Sequence, residues 1–310
     1  DVCVYRLNSF LGEKYELSVT DCLASGLKDA DACVLGGGAL FNAYSVNNEC
    51  YDAYKKDILE LSSLMREGKV PTVGLSLGTG GLADASQLSA EQLDLLENPY
   101  FLKTTVRSRS DLDLFKGRVS AVYVDDIVLA LARGLNLTCT SSARRLLVNL
   151  PRLPLVDPLF CFMWKLYSKV HRVEVINHST YSDGSPVRQT EHGYGHGLVG
   201  FQDPIEVLRA YGNEETTILS YKLHFGMSFL SFGSRFLSFR GKMKTQNFLR
   251  EHALSGNIIG FSDLFIGYFI GFHNLSKVSR AQVNDASLVD TLDSYKAFLS
   301  DFFSGSFNES

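Results

Sequence analysis

Basic residues are scarce. Thirty Lys and Arg stand against 34 Asp and Glu, and that balance lacks the positive face a nucleic-acid binder carries. Nucleic acid is therefore not an expected partner, and any site for an anion has to be local. Cysteine pairs are missing too: none of Cys3, Cys22, Cys33, Cys50, Cys139 and Cys161 forms a C-x-x-C motif, and three lie in apolar runs where a free thiol packs as a small hydrophobe. Reduced thiols in a cytoplasmic protein are the expectation. The sequence opens on the strand-like DVCVYRLNSF rather than on a charged and then apolar leader. No Gly-Lys-Ser/Thr follows a Gly-rich turn, so the phosphate loop of a nucleoside triphosphatase is not expected. A long apolar run is also lacking. The most apolar window, NIIGFSDLFIGYFIGFHNL from Asn257, is broken by Asp263 and three glycines; it reads as buried structure, with peripheral contact to the inner face of a membrane as the second reading.

What is present is an alternation. Short apolar runs that end in Gly or Ser alternate with amphipathic segments of helical length, the pattern of βαβ units and a parallel sheet. DVCVYRL, ACVLGGG, VPTVGLSLG, KTTVRSRS and VSAVYVDDIVLAL read as strands, and YDAYKKDILELSSLMREG and SAEQLDLLENPYFL as helices, the latter with a Ser-x-x-Gln start. From Arg144 the pattern begins again, with RRLLVNLPRL, RVEVINHS, TTILS and RFLSFR as strands and VDTLDSYKAFLSDFF as a closing helix. Two domains are expected, 1–142 and 143–310, the second including that helix. The fold class is α/β, two Rossmann-like domains facing a cleft, because ligands of such sheets bind beyond the carboxyl ends of the strands.

Several residues could carry chemistry. Gly36, Gly37 and Gly38 follow a strand and either make a tight turn or let backbone N–H groups approach a ligand. Arg107 and Arg109, two apart on an expected strand, point the same way; they hold an anion between them, or one pairs with Asp111, Asp113 or Asp125. Asp125 and Asp126 end a strand, where a carboxylate can accept from a sugar hydroxyl. His192, Tyr194 and His196 lie in the polar loop TYSDGSPVRQTEHGYGHGLVG, whose glycines argue against a zinc-binding helix and for contact with an acceptor substrate. His224 is either a satisfied core histidine or, at the start of a helix that follows TTILS, part of an anion site, with Lys242 one strand later.

In order, LKDADACVLGGGALF, VGLSLG, VRSRSDLDLF, VYVDDIVLAL and ILSYKLHFGMSFLSFGSRFLSFRGKMKTQNFL resemble the motifs of polysaccharide pyruvyl transferases over residues 28–250. The resemblance implies a GT-B-like fold and an enzyme that moves the enolpyruvyl carbons of phosphoenolpyruvate onto a sugar of a polysaccharide or glycan precursor as a ketal. It implies catalytic roles for His224, Arg107 and Lys242, donor contacts from Arg109, Lys222, Ser220, Gly37 and Gly38, and acceptor contacts from Asp125 or Asp126. Lys222 stands where the family has Arg, Phe225 where a small residue is common, and Phe239 where the family has Tyr. The family's Gly/Asn-rich first strand has no counterpart, so the first domain is expected to be one strand short.

The residues suit that chemistry on their own terms. Phosphoenolpyruvate carries a carboxylate and a phosphate, and converging cations such as Arg107, Lys222 and Lys242 would hold both. A histidine can protonate C3 and take up the proton of the attacking hydroxyl. Neither metal nor cofactor is demanded. A glycosyltransferase with a nucleotide-sugar donor, and a non-catalytic sugar-binding subunit of a polysaccharide pathway, are the competing readings.

Overall fold

A computed structural model describes residues 27, 30–38, 40–41, 49–80, 82, 84–134, 145–149, 169, 172–177, 198–200, 204–212, 216–275 and 285–306. The expected opening strand lies outside these residues. The chain divides into two compact units, Asp1–Ala130 with Val289–Ser310, and Leu131–Leu288.

The first unit holds a four-stranded parallel sheet of β1 (Cys33–Gly38), β2 (Thr72–Leu77), β3 (Phe101–Val106) and β4 (Ser120–Tyr123), in that order. Helices α1 (Glu49–Gly68), α2 (Ala90–Leu96) and α3 (Arg109–Phe115) connect them. The Ser-x-x-Gln signal does what its chemistry predicts: Ser89 Oγ accepts the Gln92 N–H at 3.2 Å and Gln92 Oε1 accepts the Ser89 N–H at 2.9 Å. Arg66 forks onto Asp94 from α1 to α2, at 2.7 and 2.9 Å. That guanidinium, ahead of the Ser62 hydroxyl, holds the Asp94 carboxyl below its ordinary 3.8. The stability it lends is present above that value and lost as pH falls through the lowered one.

Central strand β2 is buried throughout, and a kink divides its side chains between two cores. Val73 and Leu75 alternate onto one face. Ser76 then takes φ 53°, where the register with β3 shifts, and its N–H goes to Thr105 Oγ1 at 2.8 Å. One residue out of phase, Leu77 joins Ile58, Leu61 and Met65 of α1 in the opposite core. Cys33, on β1, is partly buried against apolar atoms that push its thiol up to about 11 against the Thr72 hydrogen bond. It stays protonated at neutral pH, and the stability tied to it is lost only as pH rises from 9.0 towards that value.

The face of β2 made by Val73 and Leu75 is covered by the closing helix, Asp285–Ser306. Its Tyr295, Leu299, Phe302 and Phe303 recur at helical spacing and bury themselves there. Lys103 also pairs with Asp301. The sequence placed this helix with the second half; the structure packs it on the first sheet, because its apolar stripe fits the open face of β1 and β2. The break between units falls at Ala130 and Leu131 rather than at 142.

The second unit holds six parallel strands: β5 (Arg145–Asn149), β6 (Arg172–Asn177), β7 (Leu198–Gly200), β8 (Thr216–Ser220), β9 (Arg235–Phe239) and β10 (Ile258–Ile259). Their order in the sheet is β10-β9-β8-β5-β6-β7. Two parallel sheets with connecting helices make a Rossmann-like α/β fold. The expected loop 180–200 is shorter than its sequence suggested, since Leu198–Gly200 pairs with β6; His192, Tyr194 and His196 lie outside the described residues. Helix α4 (Pro204–Tyr211) precedes β8, α5 (Leu223–Leu230) links β8 to β9, and α6 (Met243–Glu251) follows β9.

Gly226 sets how closely α5 meets β9. A Cβ there would stand 2.4 Å from the ring of buried Phe236, and an aromatic ring between sheet and helix has nowhere to retreat. Gly226→Ala is expected to cost about 1–3 kcal/mol or more, read as a lower denaturant midpoint with unchanged slope. Phe236→Leu in the same background should recover part of the loss, and an additive double variant would dissociate the two positions.

Candidate functional site

In the second unit the carboxyl ends of β5, β8 and β9 lie side by side. Asn149 pairs with Ser220, and Ser220 with Ser238, so the segments after β8 and β9 start at the same edge, on strands about 4.8 Å apart. After β8 the chain turns at once. Ser220 Oγ accepts the Lys222 N–H at 2.9 Å and lies 3.1 Å from Lys222 O and 3.3 Å from Asn149 Oδ1. Ser220 is fully buried, so its hydroxyl shapes the turn.

Lys222 is exposed and caps α5 with an extended backbone, φ −89° and ψ 124°. It offers no side-chain acceptor, and the first turn of α5 contains no acidic residue. Helix starts usually carry Ser, Thr, Asp or Asn here, which cover the first N–H groups. A cation at that position makes no side-chain cap and adds to the positive helix end. His224, second residue of α5, is partly buried, and its carbonyl receives Ser228 Oγ at 2.8 Å. Phe225 points the other way, into the core, with its ring 5.1 Å from that of Phe229.

The turn after β9 repeats the arrangement. Arg240 adopts φ 45°, and its N–H goes to Ile259 O at 3.2 Å. Gly241 follows because a Cβ would fall 2.4 Å from Ser238 Oγ and 2.8 Å from Thr245 Cβ. Exposed Lys242 then caps α6, again with no side-chain cap and no acid in the first turn. Ser238 Oγ and Thr245 Oγ1 are buried beside this turn with no hydrogen-bond partner among the described residues. Phe239, where the resemblance asks for Tyr, is buried in the core. Lys222, His224 and Lys242 thus share one sheet edge, at two adjacent helix starts that have a lysine at the cap position and no acidic residue in the first turn.

The first unit corrects the reading of its arginines. β3 ends at Val106; Arg107 sits in the bend that follows and Arg109 begins α3, so the two do not share a strand face. The polar run R-S-R-S continues the strand pattern on paper, but Asp111 behind it is held inside by the Thr79 hydroxyl, and the chain coils into a helix. Arg107 Nη1 donates to Asp126 Oδ2 at 3.3 Å, with the two side chains only 11% and 6% exposed. Its guanidinium also covers Gly78, where a Cβ would come within 2.7 Å of Nε. Asp126 Oδ1 takes the Val128 N–H at 3.1 Å. The ion pair expected for one of the two arginines is thus formed by Arg107, with Asp126 as a partner. Arg109 is exposed, its guanidinium 4.6 Å from the Tyr123 ring centre. Asp125 accepts from the Tyr123 hydroxyl, and its carbonyl takes Tyr295 Oη at 3.1 Å. Gly37 and Gly38 are the last residues of β1, and Gly38 pairs with Leu77.

No family model matches the chain, and no curated protein sequence matches it. The resemblance is carried by the order of the motifs. Sequence reasoning missed Asn149, Gly241, Ser238 and Thr245 at this edge. Asn149 ends an expected strand, and the run Arg-Gly-Lys after RFLSF carries a turn glycine between cations; both signals were present. Nothing local announces that the two hydroxyls are buried. Among the described residues no three His, Cys, Asp or Glu side chains gather as a metal site.

Proposed function

We propose that the protein is a transferase that moves the pyruvyl group of phosphoenolpyruvate onto a sugar of a polysaccharide or glycan precursor as a ketal, releasing phosphate. One observation carries this reading. Adjacent strands β8 and β9 each lead, through an exposed Lys at the cap position, into a helix start with no acidic residue, and His224 stands at the first of them. Such an edge attracts a small, doubly anionic molecule and puts a proton carrier beside it.

In the proposed reaction Lys222 and Lys242 hold the donor's carboxylate and phosphate. A proton goes to C3, which becomes the methyl group; one sugar hydroxyl forms its bond to C2 and loses its proton. The C2–O bond to phosphate then breaks, a second hydroxyl closes the ketal and loses its own proton, and phosphate leaves carrying one of the two released. His224 supplies the first proton and is regenerated by a hydroxyl. Arg107 has no step in this scheme, since its charge is engaged by Asp126. The same fact favours the second reading, a non-catalytic sugar-binding subunit that keeps the fold without turnover.

Thermal shift separates the readings. Phosphoenolpyruvate should raise the melting temperature more than inorganic phosphate does, by the equivalent of about 2.7 kcal/mol at a hundredfold excess over its dissociation constant. Stabilisation by uridine diphosphate instead would assign a nucleotide-sugar donor. Release of phosphate with a glycan that gains roughly 70 Da, the mass fixed by ketal chemistry, distinguishes the transferase from the non-catalytic subunit; donor binding without release selects the latter.

A further inference from the structure

After β10 the chain forms α7 (Phe261–Ile270) and a short turn of helix, Phe272–Leu275. One side of α7 is fixed inward. Leu264 and Gly267 are buried, and a Cβ on Gly267 would meet Leu275 Cδ1 at 2.6 Å and Phe272 Cε1 at 2.8 Å, so the helix cannot roll. That leaves Phe265, Ile266 and Phe269 outward, 46%, 48% and 80% exposed. The outer face of a surface helix is ordinarily charged. Here the only charged residue between Phe261 and Ile270 is Asp263, and its carboxylate is occupied by the Gly260 N–H at 2.8 Å.

The apolar stripe has a cation at its head. Phe261, Phe265 and Phe269 follow one another at i, i+4 and i+8, and the guanidinium of exposed Arg240 lies 5.2 Å from the Phe261 ring centre. We propose that the outward face of α7 docks on the surface of an anionic lipid bilayer, Phe265, Ile266 and Phe269 entering the acyl boundary and Arg240 meeting lipid phosphates. Size favours lipid over a second copy of the chain. Ten residues of helix span about 15 Å, a face of roughly 15 by 10 Å, against the ~800 Å² that each partner of a stable pair buries. Among the described residues no helix is long and apolar enough to cross a membrane, so α7 lies on the surface in the manner of interfacial helices with an apolar face and a basic flank. The inference does not depend on the reaction proposed above.

The test is sedimentation of the full chain with vesicles of phosphatidylcholine, with and without phosphatidylglycerol. The expected result is binding to the anionic vesicles that weakens with salt, falls at least about tenfold in the Phe265→Ser/Phe269→Ser variant and drops severalfold in Arg240→Gln. Phe269→Trp keeps the position apolar and should show a blue-shifted emission on adding anionic vesicles, above the signal of Trp164 in the unaltered chain. Equal binding to both vesicle types, none to either, an emission spectrum of the Phe269→Trp variant that vesicles leave unmoved, or full binding by a folded double variant would overturn the proposal. A concentration-dependent dimer that the double variant abolishes, without vesicle binding, would give the face to a second copy instead.

Discussion

His224→Ala should cut turnover by about 10²–10⁴-fold, the usual contribution of a general acid–base group, while leaving the melting temperature and donor affinity close to those of the unaltered protein. The residue is partly exposed at a helix start, and the apolar work of that turn is done by its neighbours Leu223 and Phe225. Lys242→Ala should differ in kind. An exposed ammonium at the start of α6 acts on the bound donor in ground state and transition state alike, so its loss should raise KM and weaken donor affinity by more than His224→Ala does. Calorimetry, donor titration and initial rates on both variants decide between the roles. A destabilised His224→Ala protein that keeps its rate per folded molecule would make the histidine a packing residue.

Arg107→Ala should unfold the first unit more easily and touch the chemistry little. Removing one member of a buried ion pair leaves the other charged and enclosed, which costs on the order of 3 kcal/mol; for a unit of this size that lowers the melting temperature by on the order of 10 °C. Asp126 is only 6% exposed, and its other oxygen holds the Val128 N–H, a bond it would lose on turning to water. Truncation also uncovers Gly78. Arg107→Met with Asp126→Leu removes both charges together and should regain most of the loss. An Arg107→Ala protein of unchanged melting temperature that no longer binds phosphoenolpyruvate would return the guanidinium to the ligand.

These outcomes turn on what local sequence can encode. Helix starts were readable because their chemistry spans four residues, as at Ser89 and Gln92. The strand exits after TTILS and RFLSF were readable because a buried run ends in turn residues, and with them the shared edge of Lys222, His224 and Lys242. The partner of Arg107 was not, since spacing alone ranks Asp126, 19 positions away, no higher than Asp111, Asp113 or Asp125. The split between Leu75 and Leu77 was hidden for a related reason: nothing in T-V-G-L-S-L marks a left-handed serine. Apolar residues all round the helix read as burial, whereas α7 buries one side and leaves Phe269 mostly exposed. Composition reports how apolar a helix is, not how many sides the fold covers.

The return of the closing helix to β2 also orders events during synthesis. The sheet of the first unit emerges from the ribosome with Val73 and Leu75 bare, and their cover, from Tyr295 to Phe303, is separated from Ala130 by the whole second unit. At about 5–20 residues per second, the 158 residues of Leu131–Leu288 (288 − 130 = 158) take on the order of 10–30 s. For that interval the nascent first unit presents an apolar sheet face to its surroundings, a binding surface for chaperones that disappears only once the second unit has left the ribosome.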